Sequence, residues 1–184
     1  MAAMRIAIFG LGYVGMVSAA CFAGRGNTVV GVDVNSDKVR LVSEGKPTMI
    51  EDDIGELVAD AVQSGRLTAT SSAAEAVAAT DLAMVCVGTP SSPAGGLSTE
   101  FLERVAEDIG AALPDDRRYT VVIRSTMLPG TCEGRIVPAL ERASGMTAGD
   151  AFGLCVNPEF LREGTSVKDF YDPPKTVIGE IDQA

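Results

Sequence analysis

The chain has 184 residues, 46% of them hydrophobic, and a formal net charge of −10 without a single histidine. That length and apolar content describe one globular domain able to bury a real core. The acidic surplus argues against nucleic acid as a partner and disfavours anionic ligands in general, although screening over about 8 Å leaves local groups to decide what binds.

Met1-Ala2-Ala3-Met4 reads as an extension before the natural start, or as an alternative start. Ile6-Ala7-Ile8-Phe9 then predicts a strand, Gly10-Leu11-Gly12-Tyr13-Val14-Gly15 a tight turn, and the apolar-faced stretch to Gly24 a helix. Residues 28–32 predict a second strand that closes on Asp33. In this setting Gly10 permits the turn, Gly12 lets a pyrophosphate approach the backbone, and Gly15 lets the helix pack against the strand. Free N–H groups and the positive dipole end at the helix start favour an anion there. A lone glycine motif is weak evidence. One flanked by strand and helix, with an acid about 20 positions on, points to a dinucleotide. Asp33 can accept hydrogen bonds from a ribose 2′-hydroxyl, whereas a 2′-phosphate would meet a like charge at a cost on the order of a few kcal/mol. That favours NAD over NADP, with Lys38 and Arg40 near enough in sequence to temper the preference. Residues 6–24 carry no charge and approach the length of a signal peptide or a membrane span. The glycines and the strand that follows at once speak against both, so the expected location is the cytoplasm, with no membrane partner.

Beyond Asp33, Asn35 or Ser36 can cap a helix to about Ser43, and Gly45-Lys46-Pro47 breaks the chain. Residues 54–63 place Ile54, Leu57, Val58, Ala61 and Val62 on one helical face, and Gly65 ends that helix. A third strand over 67–70 and a short alanine-rich helix over 73–79 follow. The continuous apolar run within 81–87 fits a strand covered on both faces and ends at Gly88-Thr89-Pro90. Residues 91–96 are small and turn-rich, a connection that can also cover a ligand. A helix over 99–113, a strand over 119–123, a helix over 131–143, a sixth strand over 152–156 and a further one over 176–179 complete the chain. Alternating strands and helices predict an α/β domain with a doubly wound parallel sheet, a Rossmann-like NAD-binding fold over residues 4–184.

In such sheets ligands bind beyond the carboxyl ends of the strands. Gly10 to Gly15, Asp33, Thr89-Pro90, Ser125-Thr126 and Asn157-Pro158-Glu159 should therefore line one edge. If residues 157–164 are helical, Glu159 and Glu163 share a face, and a carboxylate beside a nicotinamide and an alcohol can take part in proton transfer. The four cysteines fit no metal or disulfide pattern, and no metal site is expected. Cys21, Cys86 and Cys155 lie in apolar runs and read as reduced packing residues. Cys132 falls at a helix start, where a thiolate is favoured, although a small packing residue fits as well. Without histidine, acid–base chemistry rests on carboxylates, lysine, cysteine or water.

Four motifs occur in order: Gly10-Leu11-Gly12-Tyr13-Val14-Gly15, Cys86-Val87-Gly88-Thr89-Pro90, Arg124-Ser125-Thr126-Met127-Leu128-Pro129-Gly130-Thr131, and Asn157-Pro158-Glu159-Phe160-Leu161-Arg162-Glu163-Gly164. Together they resemble the amino-terminal domain of the nucleotide-sugar 6-dehydrogenases that act on UDP-glucose and GDP-mannose. Leu128-Pro129-Gly130-Thr131, and the ending from Asp172-Pro173-Pro174 to Glu180, look more like the GDP-mannose branch. The resemblance implies oxidation of the sugar C6 alcohol to a carboxylate with two NAD per turnover, through a thiohemiacetal and a thioester on a cysteine. It implies cofactor contacts at Tyr13, Val14, Asp33, Lys38, Thr89 and Thr126, and the sheet-edge residues Gly10, Gly12, Gly15, Pro90 and Ser125 are expected beside them. Thr126 would also help position a catalytic water, and Glu159 would be a catalytic carboxylate. Glu159, Phe160 and Leu161 would face the sugar, and Glu163 would stand where cofactor and substrate meet. The nucleophilic cysteine, and a lysine and asparagine near the sugar, lie in later domains of the family, so Cys132 does not take that role. The full-length enzymes of the family are expected to be homodimers or larger.

One departure stands out. The family commonly has Glu-Pro-Gly-Leu after the proline matching Pro47, and here the run is Glu51-Asp52-Asp53-Ile54, which keeps the acid and loses the turn. Two other readings stay open on the sequence: a Rossmann dehydrogenase acting on a hydroxy acid, which the 157–164 segment argues against, and a stand-alone NAD-sensing module.

Overall fold

Strands covered on both faces must be apolar on both, and the central strands meet that condition. In the computed structural model, which describes residues 3–91 and 96–180, β1 (Arg5–Phe9) turns Ala7 and Phe9 to one side and Ile6 and Ile8 to the other. It pairs in parallel with β2 (Thr28–Val32) and with β4 (Leu82–Val85), so that Ile6 faces both Val29 and Leu82. Adding β3 (Leu67–Thr70), β5 (Tyr119–Ile123), β6 (Phe152–Val156) and β7 (Gly179–Glu180) gives the order β3-β2-β1-β4-β5-β6-β7. The first six strands follow the doubly wound order that places a ligand crevice beside β1 and β4.

Helices cover both faces. α1 (Tyr13–Gly24), α3 (Ile54–Gln63) and α7 (Ser166–Tyr171) pack on the side that holds Ile8, Met16, Val17, Val58 and Met84. α4 (Ala73–Ala79), α5 (Glu100–Gly110) and α6 (Val137–Ser144) cover the side of Phe9, Val85, Leu102, Ile109 and Leu140. α2 (Ser36–Ser43) starts at Asn35, whose side chain accepts from the Asp37 amide as a capping residue does. The uncharged 6–24 stretch is thus a strand, a turn and a twelve-residue helix. Among the described residues no helix is long and apolar enough to cross a membrane.

Three expectations change. The last strand is two residues long and antiparallel to β6, with Val156 opposite Gly179. It starts later than predicted because the Val177 carbonyl is occupied by the Asn157 side-chain amide at 2.9 Å. The helix expected from 131 begins instead as a π-helical turn, Cys132–Ile136, in which the Val137 amide reaches back to the Cys132 carbonyl. Pro138 follows at once, and its missing N–H and bulky ring prevent an ordinary α-helical ladder at that point. Residues 157–164 form no helix, as described below, and α7 is a short helix with no expectation behind it. The expected ligand-covering connection at 91–96 falls largely on residues 92–95, outside the described residues.

Candidate functional site

The turn after β1 is shaped by contacts that only glycine allows. Gly10 has φ +93° and donates its amide to the Val32 carbonyl at 2.8 Å. A Cβ on Gly15 would sit 1.7 Å from the Gly10 carbonyl oxygen, so helix and strand touch backbone to backbone. A Cβ on Gly12 would meet nothing within 4 Å; that open space lies over the start of α1, which no side chain caps. The first-turn amides therefore suit an anion held from outside. This is the cradle a dinucleotide pyrophosphate requires.

Asp33 closes β2 and is already oriented. Its Oδ2 accepts from the Leu11 amide at 2.8 Å and from Lys38 Nζ at 3.1 Å, and its Oδ1 accepts from the Asn35 amide at 2.9 Å. The carboxylate side chain is 9% exposed, which leaves it a narrow opening for a ribose hydroxyl. Lys38 sits there as its ion-pair partner.

Beside the glycine turn a cavity of about 280 Å³ gathers Gly12, Tyr13, Val14, Thr89, Thr126 and Glu159. Its walls are cross-braced. Ser125 Oγ donates to the Val87 carbonyl at 2.6 Å, and Thr89 Oγ1 donates to the Thr126 carbonyl at 2.8 Å. Pro90 lies off this cavity, where its carbonyl accepts from the Ser98 amide. Phe160 and Leu161 border a second, smaller cavity with Arg124 and Lys175. Glu163 lines a third cleft with Tyr13, Ile50 and Glu51.

Glu159 and Glu163 do not share a helical face. Pro158 precedes the segment, and Glu159 Oε2 accepts from the Leu161 amide at 2.7 Å, a local bond that competes with helix formation. The chain then turns with Gly164 at φ +83°. Asp169, at 3% exposure, staples this segment by accepting from the Arg162 amide, Nε and Nη2 and from Thr165 Oγ1. The Arg162 guanidinium holds the Asp169 carboxyl far below the usual carboxylate range, against the opposing effect of burial. Glu159 enters the main cavity while Glu163 is exposed in the neighbouring cleft.

Two residues of the site carried no role in the sequence. Arg124 leaves β5 as a cation in a half-buried position, donates Nη1 to Asn157 Oδ1 at 2.6 Å, and buries its Nε with no hydrogen-bond partner among the described residues. Burial pushes its guanidinium below its ordinary value, and Cys86 and Glu159 act in the opposite sense. Its signal was a cation directly behind an apolar strand, at the sheet edge where ligands gather. Glu51 accepts from three groups on two distant segments. Its acid was visible in the sequence; its partners were not. Asp53, where the family commonly has glycine, keeps a left-handed backbone at φ +64° and starts α3.

Cys21, Cys86 and Cys132 offer no nucleophile. Cys132 is buried, and burial pushes its thiol up to about 11, so the helix start stabilises no thiolate there. Burial raises Cys86 to about 12 and Cys21 to about 11. Among the described residues no cluster of His, Cys, Asp and Glu could hold a metal ion.

Residues 4–184 match the family model described as the UDP-glucose/GDP-mannose dehydrogenase family, NAD binding domain. The chain is 53% identical over 182 residues to the GDP-mannose 6-dehydrogenase of Azotobacter vinelandii, covering 98% of this chain and 42% of that protein. It is 39% identical over 177 residues to a UDP-glucose 6-dehydrogenase of Haloferax volcanii, covering 96% and 41%. A solved ternary complex of GDP-mannose dehydrogenase from Pseudomonas aeruginosa superposes with a TM-score of 0.96 at 48% identity, over 98% of this chain and 42% of that one. The chain thus spans about two fifths of the length of these relatives. The family match sets aside the hydroxy-acid dehydrogenase reading. With a glycine cradle, an acid closing the second strand and a walled cavity on one sheet edge, and with a family match from residue 4 to the end, this chain is an NAD-binding domain of the UDP-glucose/GDP-mannose dehydrogenase family.

Proposed function

We propose that this domain serves a nucleotide-sugar 6-dehydrogenase that oxidises the C6 alcohol of GDP-mannose to the carboxylate, with UDP-glucose the next candidate. The higher identity to GDP-mannose enzymes and the Leu128-Pro129-Gly130-Thr131 run support this order. Bound NAD supplies the hydride acceptor. Gly10, Gly12 and Gly15 form the cradle for its pyrophosphate, and Asp33 with Lys38 receives the adenosine ribose. Tyr13, Val14, Thr89, Pro90, Ser125 and Thr126 surround the remainder, and Glu163 stands beside Tyr13.

Glu159 faces the sugar together with Phe160 and Leu161, accepts a proton or activates water, and Thr126 positions that water. The nucleophilic cysteine comes from outside this chain, which agrees with the raised thiols of Cys86 and Cys132. The enzyme acts in the cytoplasm as a homodimer or larger assembly.

The observation that carries this reading is the cavity where the uncapped start of α1, Thr89, Thr126 and Glu159 meet. Calorimetric titration with NAD and NADP tests the cofactor half: NAD binds and NADP binds at least about tenfold more weakly, and equal binding refutes the role given to Asp33. Turnover of GDP-mannose and UDP-glucose by the protein that carries this domain tests the substrate half. Faster turnover of UDP-glucose reverses the proposed order.

A further inference from the structure

Glu51 has no part in the function proposed above, yet its carboxylate joins the two halves of the cleft. Oε1 accepts from the Ser166 amide at 2.9 Å, and Oε2 accepts from the Gly164 amide at 3.0 Å. Oε2 also lies 3.1 Å from Tyr13 Oη. Ser166 opens α7, Gly164 ends the segment that carries Glu159 and Glu163, and Tyr13 opens the helix behind the glycine cradle. One side chain therefore touches the cofactor wall and the substrate wall at once.

The loop that carries Glu51 is itself held at both ends. Thr48 Oγ1 donates to the Leu11 carbonyl within the glycine turn at 2.7 Å. On the other side Asp53 turns the chain into α3, whose first residue, Ile54, is buried. Burial works against ionisation of Glu51, but the Gly164 and Ser166 amides together with the Ser166 and Tyr13 side chains outweigh it and hold the carboxyl below its ordinary value.

Tyr13 supplies the two-state element. Its hydroxyl lies 3.1 Å from Glu51 Oε2 and 3.1 Å from the Arg162 carbonyl, and one hydroxyl hydrogen serves only one of these acceptors at a time. A ligand against the Tyr13 ring selects one arrangement, and the choice is felt at Arg162, Gly164 and Ser166.

We infer that Glu51 is a positioning residue that couples cofactor binding to sugar-nucleotide binding through Tyr13 on one side and the Gly164 turn on the other. The inference rests on the placement of Tyr13 at the cofactor and of residues 159–163 at the sugar. Such coupling is reciprocal: whatever factor the sugar nucleotide adds to cofactor affinity, the cofactor adds to sugar-nucleotide affinity.

The test measures NADH affinity by calorimetry in the protein that carries this domain, with and without saturating GDP-mannose, a pair that cannot react. The wild type shows NADH binding tightened about tenfold by GDP-mannose. Glu51→Ala brings that ratio close to one, and Tyr13→Phe does the same without adding to the effect of Glu51→Ala. Glu51→Gln, which keeps the shape and one acceptor oxygen, falls between and decides the matter if the alanine variant does not fold. Glu56→Gln removes the same charge from the exposed first turn of α3 and leaves the ratio as in the wild type. A wild-type ratio of one, an unchanged ratio in both Glu51 variants, or an equal loss in Glu56→Gln overturns the coupling. Failure of the wild type to bind NADH at all refutes the cofactor reading instead, so the two failures are distinct.

Discussion

The two walls of the cleft are held in different ways. The glycine-turn side of the cofactor wall is held at short range: the Gly10–Gly15 contact, and Asp33 with its neighbours Asn35 and Lys38. The wall at 157–166, which the proposed function gives to the substrate, is assembled from afar. Tyr13 reaches Arg162 across 149 positions, and Glu51 reaches Gly164 and Ser166 across 113 and 115. A wall made of backbone contacts tolerates almost no added atom. A wall made of side-chain hydrogen bonds can be loosened one bond at a time. On the function proposed above, the first suits a cofactor whose phosphates are always the same, and the second suits a substrate that must be gripped and released.

The sharpest break in this comparison is Gly15→Ala. Its new methyl would collide with the Gly10 carbonyl, which belongs to the backbone and cannot rotate away. The expected cost is about 4 kcal/mol with complete loss of NAD binding, read from the urea midpoint and a titration. Gly12→Ala meets nothing in the protein itself. It should keep the midpoint within about 1 kcal/mol while weakening NAD at least about tenfold, because the methyl fills the pyrophosphate space.

Asp33→Asn keeps the shape and removes the charge. The preference for NAD over NADP should narrow by about tenfold in parallel titrations, as Lys38 loses its ion-pair partner and becomes available to a 2′-phosphate.

On the substrate wall, Asp169 gives a pH signature. Its folded-state pKa is depressed by Arg162, so its contribution is fully present above the ordinary carboxylate value of about 4 and fades as acid protonates it below that. Asp169→Asn should therefore lower stability at neutral pH and flatten the acid limb of the stability curve below about pH 4. Hydrogen exchange should localise the loosening to residues 159–166. An acid limb identical to the wild type would show that the Arg162 pair contributes nothing.

The smallest effect is expected at Asp53→Gly. Glycine adopts φ +64° without the Cβ penalty, so the variant should gain about 1 kcal/mol in denaturation. A loss would mean that the aspartate side chain offsets its own strain.

Much of the cofactor wall was legible before any coordinates. Glycine spacing, an acid after the second strand and β-type apolar runs are local signals, and their chemistry acts over a few residues. The substrate wall was not, although its residues stood in a recognisable motif. Glu159 and Glu163 have helical spacing, but the Glu159 carboxylate bonds to the Leu161 amide and the segment turns at Gly164. Cys132 has the sequence position of an activated thiol, but it is packed beneath the sheet with Ile136 and Leu140, where burial raises its pKa.

By itself the sequence determined the strand–helix alternation of a doubly wound sheet, the glycine turn and the acid at Asp33, because period, glycine placement and strand ends follow from bonds between near neighbours. Only the tertiary structure decided that Glu51 joins both walls, that Arg124 is half-buried beside Asn157, and that the last strand runs antiparallel. Those facts depend on which distant amides and carbonyls remain to be satisfied once the sheet has closed, and no local pattern encodes them.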